Sequence, residues 1–195
     1  LGSAQCKSAL LFAALKTSGK TKLLCLPSRN HTEIMLKKIL KVPIKIKKQK
    51  KYESIQVDGL KEFKSFNYNI PGDISSASFF IVLTLLSKNS KLKIKNININ
   101  PSRTGIITIL NSMGAKILFL KKKKYKGEIN ADILIKSQKN LKAINVPKKI
   151  NSTAIDEFLL LFLVAAVSKG ISTFHGLEEL NKKESKRLDW GFKIL

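Results

Sequence analysis

A short pattern that occurs three times, about 75 residues apart, constrains the fold of this sequence more than any other feature. In each copy, small polar residues precede a run of mostly apolar residues. The copies begin near Ser3, Ser76 and Ser152, so successive copies are 73 and 76 residues apart. Serine and aspartate are common N-cap residues, and the apolar run after them predicts a helix that is buried on most sides. An internal repeat of this length indicates a chain built from copies of one supersecondary unit.

The middle copy also marks a boundary in the chain. Pro71 and Gly72 directly precede its polar residues, and this pair ends whatever element comes before it. We therefore interpret residues 71–78 as a hinge followed by the start of a buried helix. The third copy stops at Leu195 before its last strands, so we expect it to be truncated.

Hydrophobic periodicity predicts the same succession of elements in each copy. The apolar helix is followed by a strand, an amphipathic helix and two further strands, which makes a βαβαββ-like unit. Short connections between such elements predict an α/β fold with mixed sheets covered by buried helices. The predicted helices cover 3–16, 27–40, 77–88, 101–113, 158–167 and 178–188, the predicted strands cover 21–26, 42–47, 52–57, 92–99, 116–120, 131–136 and 171–175, and 121–126 is predicted to be a solvated hairpin tip.

The charge of the chain leaves two interpretations open. The net charge is +24, from 37 Lys and Arg against 13 Asp and Glu, which favours anionic ligands or nucleic acid. The excess is mostly Lys scattered among Ile and Asn, however, which is also the bias of an AT-rich genome. Aromatic residues make up only 7% and are not interleaved with the lysines, which disfavours a nucleic-acid module. No apolar run reaches the ~18 residues of a membrane span.

Other residue types say less about chemistry. Cys6 and Cys25 lie in apolar contexts without metal-ligand spacing, which predicts buried free thiols in a reducing compartment. His31 and His175 are isolated, so we expect structural roles and no metal site. The first residue is not Met and no leader is apparent, so we expect the chain to begin inside a longer protein.

Polar residues at the start of the apolar helices are the candidates for binding and catalysis. Gln5 lies inside an apolar first turn, where a cap has no need of it, and helix N-termini bind anions. Asp156 is either a dipole partner of its helix or a general base. Lys183 and Arg187, four residues apart around Glu184, indicate either a phosphate or carboxylate site or a solvated helix face.

Six blocks of the sequence, in the right order, resemble motifs of the 5-enolpyruvylshikimate-3-phosphate synthase (EPSP synthase) family. The S-A-Q form of the first block resembles the subclass that includes glyphosate-tolerant bacterial enzymes, although tolerance does not follow from it. Some positions depart from the family pattern, among them Asn30, Asn181, Lys182 and Lys186. The blocks are 3–9 (S-A-Q-x-K-S-A), 28–33 (S/T-R-D-H-T-E), 71–77 (P-G-D-x-S-S-A), 100–105 (N-P-T-R-T-G), 155–157 (I-D-E) and 179–188 (E-L-R-V-K-E-S-D-R-L).

The resemblance implies the enolpyruvyl transferase fold, an inside-out α/β barrel with two domains of three βαβαββ units each. Residues 1–70 would be the last unit of one domain, and residues 71–195 the first unit and most of the second unit of the other. The resemblance covers less than half of a full synthase. Because cationic ligands of phosphoenolpyruvate lie in the missing parts, we expect the 195-residue chain alone to be inactive.

The implied reaction transfers the enolpyruvyl group of phosphoenolpyruvate to the 5-hydroxyl of shikimate 3-phosphate and releases phosphate, without a metal or organic cofactor. The resemblance implies three catalytic residues: Asp156 would accept the hydroxyl proton, Glu184 would move a proton to and from the methylene carbon, and Lys183 would lie near the reacting centre. Shikimate 3-phosphate would be bound by Ser3, Ala4, Gln5, Arg29, Asp156 and Lys183, and phosphoenolpyruvate by Gln5 and Arg187.

The same resemblance implies two small-molecule substrates, no nucleic-acid or membrane partner, and a monomer when full length. It also implies a cytoplasmic enzyme of aromatic amino-acid biosynthesis, or a plastid enzyme in a plant or alga. Two alternatives remain at this point. One is the UDP-N-acetylglucosamine enolpyruvyl transferase, which shares the fold and phosphoenolpyruvate, and the other is a basic nucleic-acid-binding protein of related fold.

Overall fold

The computed structural model describes residues 2–59 and 62–195, which divide into two compact units. The first unit comprises residues 1–70 and 124–128, and the second comprises residues 71–123 and 129–195. The chain passes from the first unit to the second at Ile70–Pro71, and the tip of the β5–β6 hairpin, residues 124–128, belongs to the first unit. Which domains of a longer protein these units belong to stays a prediction.

The first unit packs two helices on one face of a three-stranded sheet. Its core includes Leu11, Leu36 and Ile55, each with no exposed surface. The sheet has the order β1-β3-β2, and β3 pairs antiparallel with both neighbours. The elements are α1 (Ala4–Leu15), β1 (Lys20–Cys25), α2 (His31–Lys38), β2 (Ile44–Lys48) and β3 (Glu53–Asp58).

The second unit begins with the same succession of elements. Gly72 forms a parallel β-bridge with Ile97, so it takes the place of a first strand before the first helix of this unit. The sheet order is β4-β6-β5, which repeats the first–third–second order of the first unit, and β4 pairs antiparallel with β6. The elements are α3 (Ile74–Leu86), β4 (Lys91–Asn98), α4 (Gly105–Ser112), β5 (Leu118–Tyr125) and β6 (Glu128–Lys136).

The third copy of the repeat completes the second unit. Its two short strands pair in parallel, as Gly72 does with β4. Two 3-10 turns lie at 148–150 and 178–182. The elements are β7 (Asn145–Val146), α5 (Asn151–Ala154), α6 (Phe158–Ala166), β8 (Thr173–Phe174) and α7 (Arg187–Ile194).

The predicted α/β repeat is confirmed, with corrections to the sheets and to the helix starts. In the three-stranded sheets β1 and β2 pair antiparallel with β3, and β4 with β6; among the described residues, parallel pairing is seen in short bridges and in the β7–β8 pair. Ser76 does not cap α3. Asp73 is the N-cap, and its carboxylate accepts from the Ser76 amide at 2.9 Å. Ser152 lies inside α5, whose N-cap position is Ile150.

The apolar helices were predicted to be buried on most sides, but each leaves part of its apolar surface exposed. α1 buries Lys7, Leu11, Ala14 and Leu15 but leaves Leu10 and Phe12 about half exposed. The reason is geometric: a helix packed on one sheet presents only one face to it, whatever its composition. α3 likewise exposes Phe79, Phe80 and Leu83, and α6 exposes Leu163.

Three further predictions were wrong in detail. The lysines of 121–124 lie within β5, and the hairpin turn is only Lys126-Gly127, both with positive φ as a type I′ turn requires. The predicted helix 178–188 is a 3-10 turn, a bend and the start of α7. Cys6 is exposed and Cys25 is half-buried, so neither is a fully buried thiol, although burial raises the pKa of Cys25.

Candidate active site

In the first unit, the predicted binding residues lie around the start of α1. Ser3 is the N-cap, and its side chain accepts from the Cys6 amide at 3.2 Å. Ala4 and Gln5 form the first turn, and Gln5 is exposed. The first-turn amides of a helix have no partners within the helix and lie at the positive end of its dipole. This end of α1 is therefore suited to an anionic ligand.

Contacts between α1 and α2 place the half-buried Arg29 near that end of the unit. The Lys7 ammonium lies 2.5 Å from Glu33 Oε1, and the Ser8 and Thr32 hydroxyls are 2.6 Å apart. These contacts join the N-terminal half of α1 to the first turn of α2, which begins two residues after Arg29. Sequence reasoning assigned no role to Lys7 or Glu33. Their signal was a lysine inside an otherwise apolar helix.

In the second unit, Asp156 and three other predicted residues form one cluster. Its carboxylate lies in the turn between α5 and α6, where Oδ1 accepts from Arg187 Nη1 at 3.0 Å. Lys183 Nζ lies 3.8 Å from the same oxygen. The other guanidinium nitrogen, Nη2, donates to Glu184 Oε1. Asp156, Lys183 and Arg187 are partly buried, whereas the Glu184 side chain is 70% exposed.

The chain reaches this arrangement by a bend and not by the predicted helix. Lys183 has extended backbone (φ −82°, ψ −171°), so Lys183 and Arg187 are not i,i+4 neighbours on one helix. Asn181 fixes the bend, because its side-chain oxygen accepts from the Leu188 amide at 2.9 Å and its nitrogen donates to Asp189 at 2.8 Å. Asn181, which departs from the family pattern, thus holds the start of α7. An Asn six residues before a new helix carries no local signal for this.

The electrostatics of the cluster follow from these contacts. The hydrogen bond from Arg187, together with the charges of Arg187 and Lys183, holds the pKa of Glu184 below its ordinary value. The bonds to Glu184 and then Asp156 raise the pKa of Arg187, although partial burial opposes this. Glu184 is therefore ionised at neutral pH. Two carboxylates and two cations at one place can bind an anion and also accept a proton.

The two predicted groups are each assembled within one unit. Ser3, Ala4 and Gln5 lie in the first unit with Arg29, and the Asp156 cluster lies in the second. His31 Nδ1 lies 2.6 Å from Glu128 Oε1, in keeping with the structural role predicted for it. Among residues 2–59 and 62–195, no three His, Cys, Asp or Glu side chains are grouped as a metal site would need. No helix in the same ranges is long and apolar enough to cross a membrane.

Comparison with known proteins gives a consistent family. Residues 1–192 match the profile of EPSP synthase (3-phosphoshikimate 1-carboxyvinyltransferase). The 3-phosphoshikimate 1-carboxyvinyltransferase of Legionella pneumophila strain Lens is 43% identical over 187 residues, which is 95% of this chain and 42% of that protein. The corresponding protein of Petrotoga mobilis is 40% identical over 190 residues, or 96% of this chain and 43% of its own length.

Solved structures agree with the sequence relatives. EPSP synthase from Acinetobacter baumannii superposes with a TM-score of 0.84 at 36% identity, over 99% of this chain and 42% of that one. The enolpyruvyl transferase NikO from Streptomyces tendae has a TM-score of 0.59 at 17% identity over 83% of this chain, which is a likeness of fold alone. The chain spans about 42% of the length of the curated relatives named here.

Proposed function

This chain belongs to the EPSP synthase family, and we propose that its complete gene product transfers the enolpyruvyl group of phosphoenolpyruvate to the 5-hydroxyl of shikimate 3-phosphate. The observation that carries the proposal is the cluster of Asp156, Lys183, Glu184 and Arg187. It combines a proton acceptor with cations suited to phosphate and carboxylate groups. These are the two requirements of the reaction.

The proposed chemistry has two steps. In the first, Asp156 takes the proton of the 5-hydroxyl, the oxygen bonds to C2 of phosphoenolpyruvate, and C3 receives a proton from the acid form of Glu184. In the second, the tetrahedral intermediate expels phosphate, C3 gives a proton back to Glu184, and the proton held by Asp156 passes to the departing phosphate. The contact with Arg187 favours the ionised form of Glu184, so phosphoenolpyruvate would have to draw Arg187 away before Glu184 can act as an acid.

Arg187 and Lys183 stabilise the negative charges in this scheme. Arg187 donates to two carboxylates through different nitrogens. Its planar guanidinium can bind one planar anion through two nitrogens in the same way. We assign it to phosphoenolpyruvate. Lys183, 3.8 Å from Asp156, is assigned to shikimate 3-phosphate beside the hydroxyl that reacts.

Residues of the first unit are assigned to the shikimate phosphate and ring. The first turn of α1 offers the Ser3 side chain, the backbone of Ala4 and the amide of Gln5, and Arg29 adds a cation that can bind phosphate bidentately. Gln5 is assigned to phosphoenolpyruvate as well. We further propose a monomeric, cytoplasmic enzyme with these two small molecules as its substrates.

The test is phosphate release by the complete gene product. We expect release only when both substrates are present, and a loss of at least about a hundredfold in Asp156→Ala. Glu178→Ala is the matched control, because Glu178 is an exposed carboxylate outside the cluster. Release with UDP-N-acetylglucosamine in place of shikimate 3-phosphate would show a different acceptor. Absence of release from the folded protein with either acceptor would contradict the proposal.

A further inference from the structure

A second set of polar side chains in the same unit connects three motif blocks and ends next to Asp156. It starts at the N-cap of α3, where Asp73 Oδ1 lies 2.7 Å from Arg103 Nη2. Partial burial alone would raise the pKa of Asp73, but the Ser76 amide and the Arg103 charge outweigh it, and the pKa lies below its ordinary value. Asp73 and Arg103 thus form an ion pair that joins the start of α3 to the turn before α4.

The same guanidinium nitrogen extends the set inward. Arg103 Nη2 donates to Ser75 Oγ at 2.6 Å, and the Ser75 hydroxyl donates to Glu157 Oε1. Glu157 is only 3% exposed. A buried carboxylate is costly unless hydrogen bonds satisfy it, so the position of Glu157 is tied to the hydroxyl of Ser75. Its neighbour in the chain is Asp156.

A close backbone contact also holds the segment 153–157 in place. Gly105 begins α4, two residues after Arg103. A Cβ added to Gly105 would lie 2.8 Å from the backbone carbon of Thr153 and 2.9 Å from Ala154 Cβ. The turn that carries Arg103 and Gly105 therefore meets this segment directly at Gly105 and is linked to Glu157 through the hydroxyl of Ser75.

We propose that Ser75 and Arg103 are positioning residues that set the orientation of Asp156 by fixing the side chain of Glu157. The inference rests on the proposed function for the role of Asp156. In this assignment neither Ser75 nor Arg103 binds a substrate. Their effect is to keep the carboxylate of Asp156 directed at Arg187 and Lys183 by holding its neighbour Glu157 in place.

Two adjacent serines provide a matched pair of variants. Ser75→Ala removes the hydroxyl that links Arg103 to Glu157, whereas Ser76→Ala removes a hydroxyl that donates to Asp73 and lies outside this link. In the complete gene product we expect Ser75→Ala to lower kcat about tenfold or more, with KM for both substrates changed by less than about twofold. Ser76→Ala should stay within about twofold in kcat. Ser75→Thr, which keeps a hydroxyl, should restore most of the loss.

Hydrogen exchange supplies a readout that does not depend on turnover. We expect the amides of 153–157 to exchange faster in Ser75→Ala than in wild type, and not in Ser76→Ala. Equal kcat or equal exchange in the two alanine variants would overturn the inference. If wild type shows no turnover, the proposed function fails and the exchange comparison alone decides. If Ser75→Ala does not fold, Arg103→Gln takes its place with the same expectations.

Discussion

At the scale of single residues, the most informative side chains lie below the surface of the proposed site. Lys7 and Glu33 are 3% and 2% exposed, so both charges of their ion pair have been removed from water. Glu33 Oε2 has no hydrogen-bond partner within the described part of the chain. Such a pair adds little net stability over a hydrophobic pair, but each member depends strongly on the other. We interpret it as a fixed connection between the start of α1 and the start of α2.

Replacing one member of this ion pair should destabilise the fold far more than replacing both. We expect Lys7→Met to lower the free energy of unfolding by about 3–5 kcal/mol, because it leaves the Glu33 charge buried and unpaired. Lys7→Met combined with Glu33→Leu should recover most of that loss. Urea unfolding of the complete gene product measures both. Lys48→Met is the control: Lys48 is 82% exposed and 4.0 Å from Glu53, so its loss should cost less than about 1 kcal/mol. Equal effects of Lys7→Met and Lys48→Met would contradict this interpretation.

Asp73 makes a second prediction at this scale, about pH. Its pKa is lowered in the folded protein, so its ionised form contributes stability above the ordinary value of about 3.9, and the contribution is lost as the pH falls through the folded pKa. Asp73→Asn keeps an N-cap but removes the charge that pairs with Arg103. Wild type should therefore unfold at higher urea than Asp73→Asn at pH 6. The difference should shrink below about pH 4, and a constant difference from pH 6 to pH 3 would rule out the ion pair as its source.

At the scale of secondary-structure elements, close helix packing is what holds the Asp156 segment in place. Gly105 allows the start of α4 to meet α5 without a side chain between them. Its φ is not in the left-handed region, so the requirement for glycine is steric and not conformational. The family block 100–105 therefore combines a cation, Arg103, with a close approach, and both act on the same segment.

Filling that contact should destabilise the second unit. In Gly105→Ala, the new Cβ would lie within 3 Å of backbone and side-chain atoms of Thr153 and Ala154, so α4 or α5 must shift. We expect a loss of about 1–3 kcal/mol in the free energy of unfolding, and a lower kcat through displacement of Asp156. Gly2→Ala is the control for stability, because its Cβ would meet Leu26 only at 3.8 Å, an ordinary contact. A melting temperature as little changed as that of Gly2→Ala would contradict the steric argument.

Local sequence signals predicted elements well where the cause of the element is itself local. The start of α1 follows from Ser3 as the N-cap before an apolar run, and the repeat was visible because each copy contains such a run. The segment 178–194 was predicted wrongly because its bend depends on Asn181, whose bonds to Leu188 and Asp189 form only once the chain has folded back. We ended the predicted strand at residue 120 because of the dense lysines after it, but β5 continues to Tyr125, since lysines are tolerated along an exposed strand.

Prediction of the site shows the same division. The residues Asp156, Lys183, Glu184 and Arg187 were identified from motif blocks, and the structure brings them together. Their geometry was not predictable, because it comes from a bend and not from helical spacing. The partly buried Ser75 and Arg103 and the buried Glu157 were also missed. Each has an ordinary local role as a cap, a turn residue or a helix-start residue, and only the tertiary contact links them.

At the scale of the whole molecule, this chain carries part of what the proposed reaction needs. It spans about 42% of the length of its relatives, and it leaves large apolar side chains on α3, such as Phe79 at 64% exposure, in contact with water. Around Asp156, two cations pair with two carboxylates, so the charges of this cluster are balanced and supply no excess positive charge. Two substrates that together carry two phosphates and two carboxylates require more cations than this cluster has free.

We therefore expect the purified 195-residue chain to release no phosphate from phosphoenolpyruvate and shikimate 3-phosphate, while the complete gene product does. Each missing charge-assisted contact would weaken transition-state binding by about 1.5–3 kcal/mol, so the loss of several makes turnover undetectable. The two proteins should be assayed at equal concentration, with circular dichroism to show that the short chain is folded. The complementary experiment adds the remaining segment of the gene product in trans. If phosphate release recovers, the missing ligands explain the inactivity, and a defect in Asp156 or Glu184 does not. Phosphate release by the 195-residue chain alone would mean that the residues described here already form a sufficient site.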